Sequence, residues 1–172
     1  MNKIIIYLGV FLTGLVIQFS FTQFISIGGL SPDFLLIFVI FIGLIYGPLE
    51  AQLYGFAWGL TWDIFGVEMF GSHAFLFTCV GYVAGQLAGK WNESKISAQI
   101  LLVAVASIFY ILGKYLLYQI FSPGEFVFRL NYITILQPFL NVIVAPLIFV
   151  FCLRLTDFID DFVNGSGRLD RF

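Results

Sequence analysis

This sequence predicts an all-α integral membrane protein, a bundle of six transmembrane helices, on the strength of three observations. First, hydrophobic residues make up 60% of the chain and charged ones only 10%, with a mean hydropathy of +1.01. A soluble domain carries about 25% charged residues, so this surface calls for lipid as its solvent. Second, the apolar runs are continuous: Ile4-Ile5-Ile6-Tyr7-Leu8 and Phe34-Leu35-Leu36-Ile37-Phe38 are apolar on every face. A transmembrane β-strand alternates in polarity over about ten residues, so a barrel is excluded. Third, turn chemistry punctuates the chain at intervals that suit helices of about 20 residues. Lipid offers no partner to backbone N–H and C=O groups, so each run must satisfy them within itself, as a helix does.

The elements follow in order. Span one, near 4–25, starts behind Lys3 and stays apolar to Phe24 without a small-residue cleavage site, so it reads as an uncleaved span rather than a signal peptide. Gly28-Gly29-Leu30-Ser31-Pro32 leads into span two, near 32–47, which is short. Only Gly47-Pro48 separates it from span three, near 49–66, which predicts a tight helical hairpin. The segment Gly66 to Gly71 precedes span four, near 72–89, and Asn92-Glu93-Ser94 precedes span five, near 97–121. Ser122-Pro123-Gly124 opens the loop before span six, near 133–155.

Span six contains Pro138 and Pro146, with Gln137 and Asn141 beside and between them. Proline frees a backbone carbonyl one turn earlier, which a Gln or Asn amide can satisfy, or the amide can bond a neighbouring helix. Two readings stand: a kinked packing helix, or a broken helix lining a substrate path. Residues 1–160 form one transmembrane domain and 161–172 a cytoplasmic tail. From Asp157 onward, Asp160 and Asp161 alternate with Phe158, Ile159 and Phe162 before a flexible Asn164-Gly165-Ser166-Gly167.

Lys and Arg are retained on the cytoplasmic side of membrane spans. With the N-terminus inside, the inner segments hold Lys3, Lys90, Lys95, Arg154, Arg168 and Arg171, and the outer loops only Arg129. The expected topology is multi-pass, with both termini cytoplasmic.

Several function classes drop out. A net charge of −2 and a pI near 5.1 leave no basic footprint for nucleic acid. Cys79 and Cys152 lie singly in apolar runs and read as buried free thiols. Hydrolase and transferase motifs are missing, and Glu68 and Glu125 read as solvated loop charges. The expectation is a non-enzyme without cofactor or metal.

Within this apolar sequence Asp63 stands out. It lies in Gly59-Leu60-Thr61-Trp62-Asp63-Ile64-Phe65-Gly66, and a carboxylate at membrane depth costs from about 3 kcal/mol upward unless it has a partner. Its place near the end of span three puts it about 5 Å below the outer boundary, and Lys114 in span five lies about 10 Å below. Lysine can snorkel along its stem, so an Asp63–Lys114 ion pair is one expectation. The other is that Asp63 accepts hydrogen bonds at the helix end while Lys114 reaches headgroups alone. His73 opens span four on the same side; a lone histidine makes no metal site. An Asp63, His73 and Lys114 proton path is a third reading, set against the absence of midplane charge. Gly55 and Gly59 in span three, and Gly81, Gly85 and Gly89 in span four, recur every four residues and so line one face of each helix. Small residues let helices approach in lipid, so these faces serve either packing within the bundle or a groove for a partner's helix.

Ser31-Pro32-Asp33-Phe34-Leu35-Leu36, Tyr46-Gly47-Pro48-Leu49, Gly55 to Gly66, Gly71-Ser72-His73-Ala74 and Gly81-Tyr82-Val83-Ala84-Gly85 occur in an order and spacing that resembles the rod shape-determining MreD family. The resemblance covers about 1–160, with its specific part at 31–89. It implies a non-enzymatic scaffold subunit of bacterial cell elongation and peptidoglycan synthesis, located in the bacterial inner membrane. Its implied partners are MreC, MreB, RodA and a penicillin-binding transpeptidase, and its implied fold is similar to the substrate-binding subunits of energy-coupling-factor transporters. Asp63, Gly66, Gly71 and His73 match recurrent positions of the family. The competing function is the substrate-binding subunit of a vitamin-type importer, for which Asp63, Trp62, His73, Lys114 and Asn131 would be the polar groups of an outer pocket.

Overall fold

The computed structural model describes residues 3–24, 31–66, 69–90, 95–121 and 132–164, and these form six α-helices. In chain order they are α1 (Lys3–Phe24), α2 (Phe34–Tyr46), α3 (Pro48–Phe65), α4 (Ser72–Gln86), α5 (Ile96–Phe121) and α6 (Tyr132–Asn164). Among the described residues, two helices are long and apolar enough to cross a membrane: Ile96–Phe121 and Leu136–Asp157, both of mean hydropathy 2.2. Tyr7–Phe21 and Phe34–Tyr46 are apolar but shorter.

The short helix is the centre of the molecule. Every residue of α2 from Phe34 to Leu44 is buried, and α2 touches all five other helices. A helix that is hydrophobic all round belongs in a core. Its 13 residues are enclosed by the five helices around it. Both ends are set locally. Asp33 accepts a hydrogen bond from Leu36 N at 3.0 Å, a side-chain N-cap. Gly47, at φ +97°, closes the C-terminal end and serves at the same time as N-cap of α3, whose first residue is Pro48. That left-handed φ favours glycine, and proline at N1 gives up no hydrogen bond.

Helices α3 and α4 pack backbone to backbone through the glycine faces. A β-carbon at Gly55 would sit 2.7 Å from Phe77 O, and one at Gly81 would sit 2.7 Å from Ala51 O. One at Gly59 would meet Ala74, and one at Gly85 would meet Pro48. The four glycines therefore lie along one seam, Gly55 and Gly59 against α4 backbone and Gly81 and Gly85 against α3 backbone. Gly43 of α2 lies equally tight against Ala84 and Gly85, which binds the seam to the core helix.

Helix α1 is held differently, by an aromatic stripe. Tyr54, Trp58 and Trp62 recur every four residues on α3, so they share a face. Tyr54 lies edge-on to Tyr7, Trp58 stacks on Phe11 and Trp62 on Phe19, at centroid distances of 6.3, 6.3 and 5.4 Å. The same side chains donate hydrogen bonds to α1 carbonyls, Tyr54 Oη to Tyr7 O at 3.0 Å and Trp58 Nε1 to Phe11 O at 2.9 Å. Gly14 leaves room for the indole of Trp58, whose Cζ2 would lie 2.6 Å from a β-carbon there. Trp58→Phe keeps the stack and removes one hydrogen bond, so a loss of about 1 kcal/mol is expected in detergent unfolding. Trp58→Ala empties the site and should cost about 3–5 kcal/mol.

Two helix ends differ clearly from the sequence expectation. Helix α4 ends at Gln86, three residues before the expected 89, because Gly89 adopts φ +69° within a run of turns over 87–90. Gly89 therefore belongs to the turn, not to the glycine seam. Helix α6 runs on to Asn164, well past the expected 155, so the acidic stretch from Asp157 continues the helix. Pro138 and Pro146 both sit inside this helix without ending it.

Candidate functional site

Asp63 occupies the point where α3 hands over to α4. The first residue before α4, Gly71, takes φ +88° to make the turn and has no side chain to cap the helix it starts. Asp63 supplies the cap from the neighbouring helix. Its Oδ1 accepts from His73 N at 3.2 Å and its Oδ2 from Ala74 N at 3.1 Å, the second and third amides of α4. The first amides of a helix lack intrahelical acceptors and carry the positive end of its dipole, which is where a carboxylate is most stabilised.

The carboxylate also takes the imidazole. His73 Nδ1 lies 2.7 Å from Asp63 Oδ1, and Ser72 Oγ lies 3.3 Å from the same nitrogen. Both Asp63 and His73 are buried, at 5% and 4% exposure. With Nδ1 carrying a proton, the ring donates to the carboxylate and both carboxylate oxygens are engaged. This arrangement answers the cost that the sequence assigned to Asp63: three donors and a helix terminus replace water.

The partner of Asp63 is thus His73, with backbone amides beside it, and not Lys114. Lys114 Nζ instead lies 5.9 Å above the ring of Tyr110, in cation–π range. Tyr110 in turn packs its ring 5.9 Å from that of His73 and 5.5 Å from Phe77. The three expected residues therefore share one region, connected through an aromatic ring that the sequence reading had not singled out. Tyr118 of α5 accepts a hydrogen bond from Met69 N at 3.3 Å, so α5 also holds the turn before α4.

A second polar group joins four helices through α2. Asp33 N donates to Asn141 Oδ1 at 2.8 Å, Asn141 Nδ2 donates to Ser107 Oγ at 3.0 Å, and Leu35 N donates to Gln18 Oε1 at 3.2 Å. Gln18, Ser107 and Asn141 are buried, and they sit on α1, α5 and α6. Asn141 thus bonds neighbouring helices, one of the two roles expected for it. Asp33, Gln18 and Ser107 were not picked out as site residues. For Asp33 a signal existed, an aspartate directly before an apolar run, which is the ordinary start of a helix.

The remaining expected residues are readily placed. Gly55, Gly59, Gly81 and Gly85 lie in the α3–α4 seam, Gly66 is the exposed C-cap of α3, and Gly71 is the N-cap of α4. Asn131, Glu68 and Glu125 lie outside the described residues. Among the described residues, no group of three or more His, Cys, Asp or Glu side chains is placed to hold a metal ion.

The family model for the rod shape-determining protein MreD matches residues 1–155, which takes in all of these groups and five complete helices. The chain belongs to the MreD family. Membership makes it a rod-shape-determining membrane protein of the cell-shape machinery. The Asp63–His73 cap, the α3–α4 glycine seam and the polar junction on Asp33 all fall within the matched region. Nothing among curated proteins and nothing among solved structures matches this chain.

Proposed function

We propose that this MreD-family chain is a six-span, non-enzymatic scaffold of the cell-elongation machinery that works by presenting helix faces to other membrane proteins. The supporting observation, beside the family, is that its characteristic polar and small residues point inward to one another. Asp63 caps α4 and pairs with His73, Asp33 and Asn141 join helices at α2, and the glycines pack against backbone of the facing helix. What the outer surface offers is a set of apolar helix faces, such as Ile108, Leu112 and Leu116 on α5. MreC, RodA, a penicillin-binding transpeptidase and MreB are the partners this reading implies, and the six-span fold is of the kind found in energy-coupling-factor substrate-binding subunits.

Depletion of the chain from its native cell is expected to round the cells. Unchanged shape together with a vitamin requirement would overturn the scaffold in favour of the importer. The proposed topology is checked separately. Phe70 lies in the exposed α3–α4 turn and Lys90 beyond the other end of α4, and both are exposed. A cysteine replacing Phe70, in a chain without its native cysteines, is expected to react with an impermeant maleimide in intact spheroplasts. One replacing Lys90 should react only after permeabilisation, and the reverse pattern would invert the topology.

A further inference from the structure

Two sets of helices differ in what joins them. Among the described residues α5 packs along α6, and between them Asn141 Nδ2 donates to Ser107 Oγ at 3.0 Å. Helices α1 and α3 touch neither of the two, and α4 does not reach α6, so only α2 and α4 connect this pair to the rest. Side chains make the connection. Phe149 of α6 meets Phe41 of α2 edge-on at 5.5 Å, and Tyr110 of α5 lies 5.5 Å from Phe77 of α4. A β-carbon at Gly113 of α5 would meet the side chain of Leu76, whereas those in the α3–α4 seam would meet backbone.

Burial along the pair is uneven. On α5 Gln99, Leu102, Val103, Ala106, Ser107 and Tyr110 are buried, but beyond Tyr110 only Tyr118 is. On α6 Asn141, Ala145, Ile148, Phe149 and Cys152 are buried, and no residue from 136 to 140 is. Both sparsely packed stretches lead toward the connection between the two helices. There, two hydrogen bonds tie the pair to the other helices: Asp33 N donates to Asn141 Oδ1 at 2.8 Å and Met69 N to Tyr118 Oη at 3.3 Å.

We infer that α5 and α6 swing as one unit against α1–α4, pivoting where Val103 and Phe149 are buried in the core and latched by Asn141 and Tyr118. Packed helices slide past one another when the side chains between them change arrangement, a freedom that the backbone contacts of the α3–α4 seam do not have. A swing of about 15°, the size of a subunit rotation, would carry the stretch from Tyr110 to Phe121, about 16 Å of helix, through about 4 Å at its end. A partner that binds the open position more tightly would shift the population toward it.

The test is electron–electron distance measurement on the full chain in nanodiscs, with spin labels on cysteine pairs in a chain without its native cysteines. The labelled positions are all exposed: Ile64 with Ile120 spans the latch, Leu49 with Ile96 spans the far end, and Phe21 with Phe75 lies within α1–α4. In the parent the Ile64–Ile120 distribution should be broader than the Phe21–Phe75 one. Asn141→Leu combined with Tyr118→Phe removes both latch bonds. In this variant, still melting cooperatively, the Ile64–Ile120 distance should lengthen by about 4 Å, as the lever arm above gives. The other two pairs should not change. Ser107→Ala breaks only the bond within the unit and should leave all three distances as in the parent. A folded latch variant with parental Ile64–Ile120 distances would overturn the swing, as would equal lengthening at both ends or lengthening in Ser107→Ala. If the latch variant does not fold, the parent decides: an Ile64–Ile120 distribution no broader than the Phe21–Phe75 one overturns the inference. The inference stands on packing alone, so its failure leaves the scaffold reading to be judged on cell shape.

Discussion

Asp63→Ala is expected to destabilise the folded chain by about 3–5 kcal/mol, since it leaves three buried donors without their acceptor at about 1–3 kcal/mol each. The loss strands more than His73. Two α4 amides, those of His73 and Ala74, lose their acceptor in a setting where water does not replace it. Asp63→Asn keeps one carbonyl oxygen and should cost less, about 1–2 kcal/mol, in the range for a changed N-cap. The pairing is resolved by double-mutant cycles read from unfolding in mixed detergent. An Asp63→Asn, His73→Asn cycle should show coupling of about 1 kcal/mol or more, since the two side chains are in contact. An Asp63→Asn, Lys114→Met cycle should show clearly less. Stronger coupling to Lys114 than to His73 would contradict the geometry described here.

Gly81→Leu and Gly59→Leu are expected to cost about 3 kcal/mol each, at the upper end of overpacking effects. The atoms in the way are backbone, Ala51 O in one case and Ala74 in the other, and backbone cannot rotate aside as a side chain can. Gly9→Leu is the matched control. Nothing lies within 4 Å of a β-carbon there, so the change should stay within about 0.5 kcal/mol. The comparison also bears on function. If the glycine faces were a groove for a partner, the leucine variants would fold normally and lose only the partner. Loss of the folded monomer in detergent, with no partner present, is the expected result.

These two predictions rest on features that were legible in the sequence to different degrees. The four-residue spacing of Gly55, Gly59, Gly81 and Gly85 puts them on faces, and the need for close approach in lipid says that such faces are contacted. Spacing within a helix carries no information about what lies opposite. Only the folded chain shows that each glycine meets backbone of the opposite helix, Gly55 and Gly59 on α4 and Gly81 and Gly85 on α3. Asp63 was legible as an expensive charge near a helix end, and acceptance of backbone hydrogen bonds was one of its expected roles. His73 was placed on the same side, but its contact with Asp63 was not foreseen. That contact depends on the turn through Gly71, whose left-handed conformation sets where α4 begins relative to α3.

Helix α2 shows the same division. Its apolar faces, its proline-glycine boundaries and its shortness were all visible as sequence. Their meaning was not, because a 13-residue apolar helix reads as a poor membrane span until its neighbours are seen to enclose it. The aromatic stripe Tyr54, Trp58 and Trp62 passed unnoticed for a related reason. In a chain that is 19% aromatic, any four-residue recurrence is submerged. What marks this one is hydrogen bonding to carbonyls of α1, far away in sequence.

By itself the sequence determined the solvent, the helical class, the approximate helix ends and the family. These follow from composition and local punctuation, which act over a turn or two of helix. The tertiary structure alone decided which polar group answers which. Asp63 caps α4 and takes His73, Asn141 links Asp33 to Ser107, and each glycine of the seam closes on backbone of the opposite helix. In a membrane interior a polar or small residue is resolved by whatever atom lies across the gap, and that atom belongs to another helix.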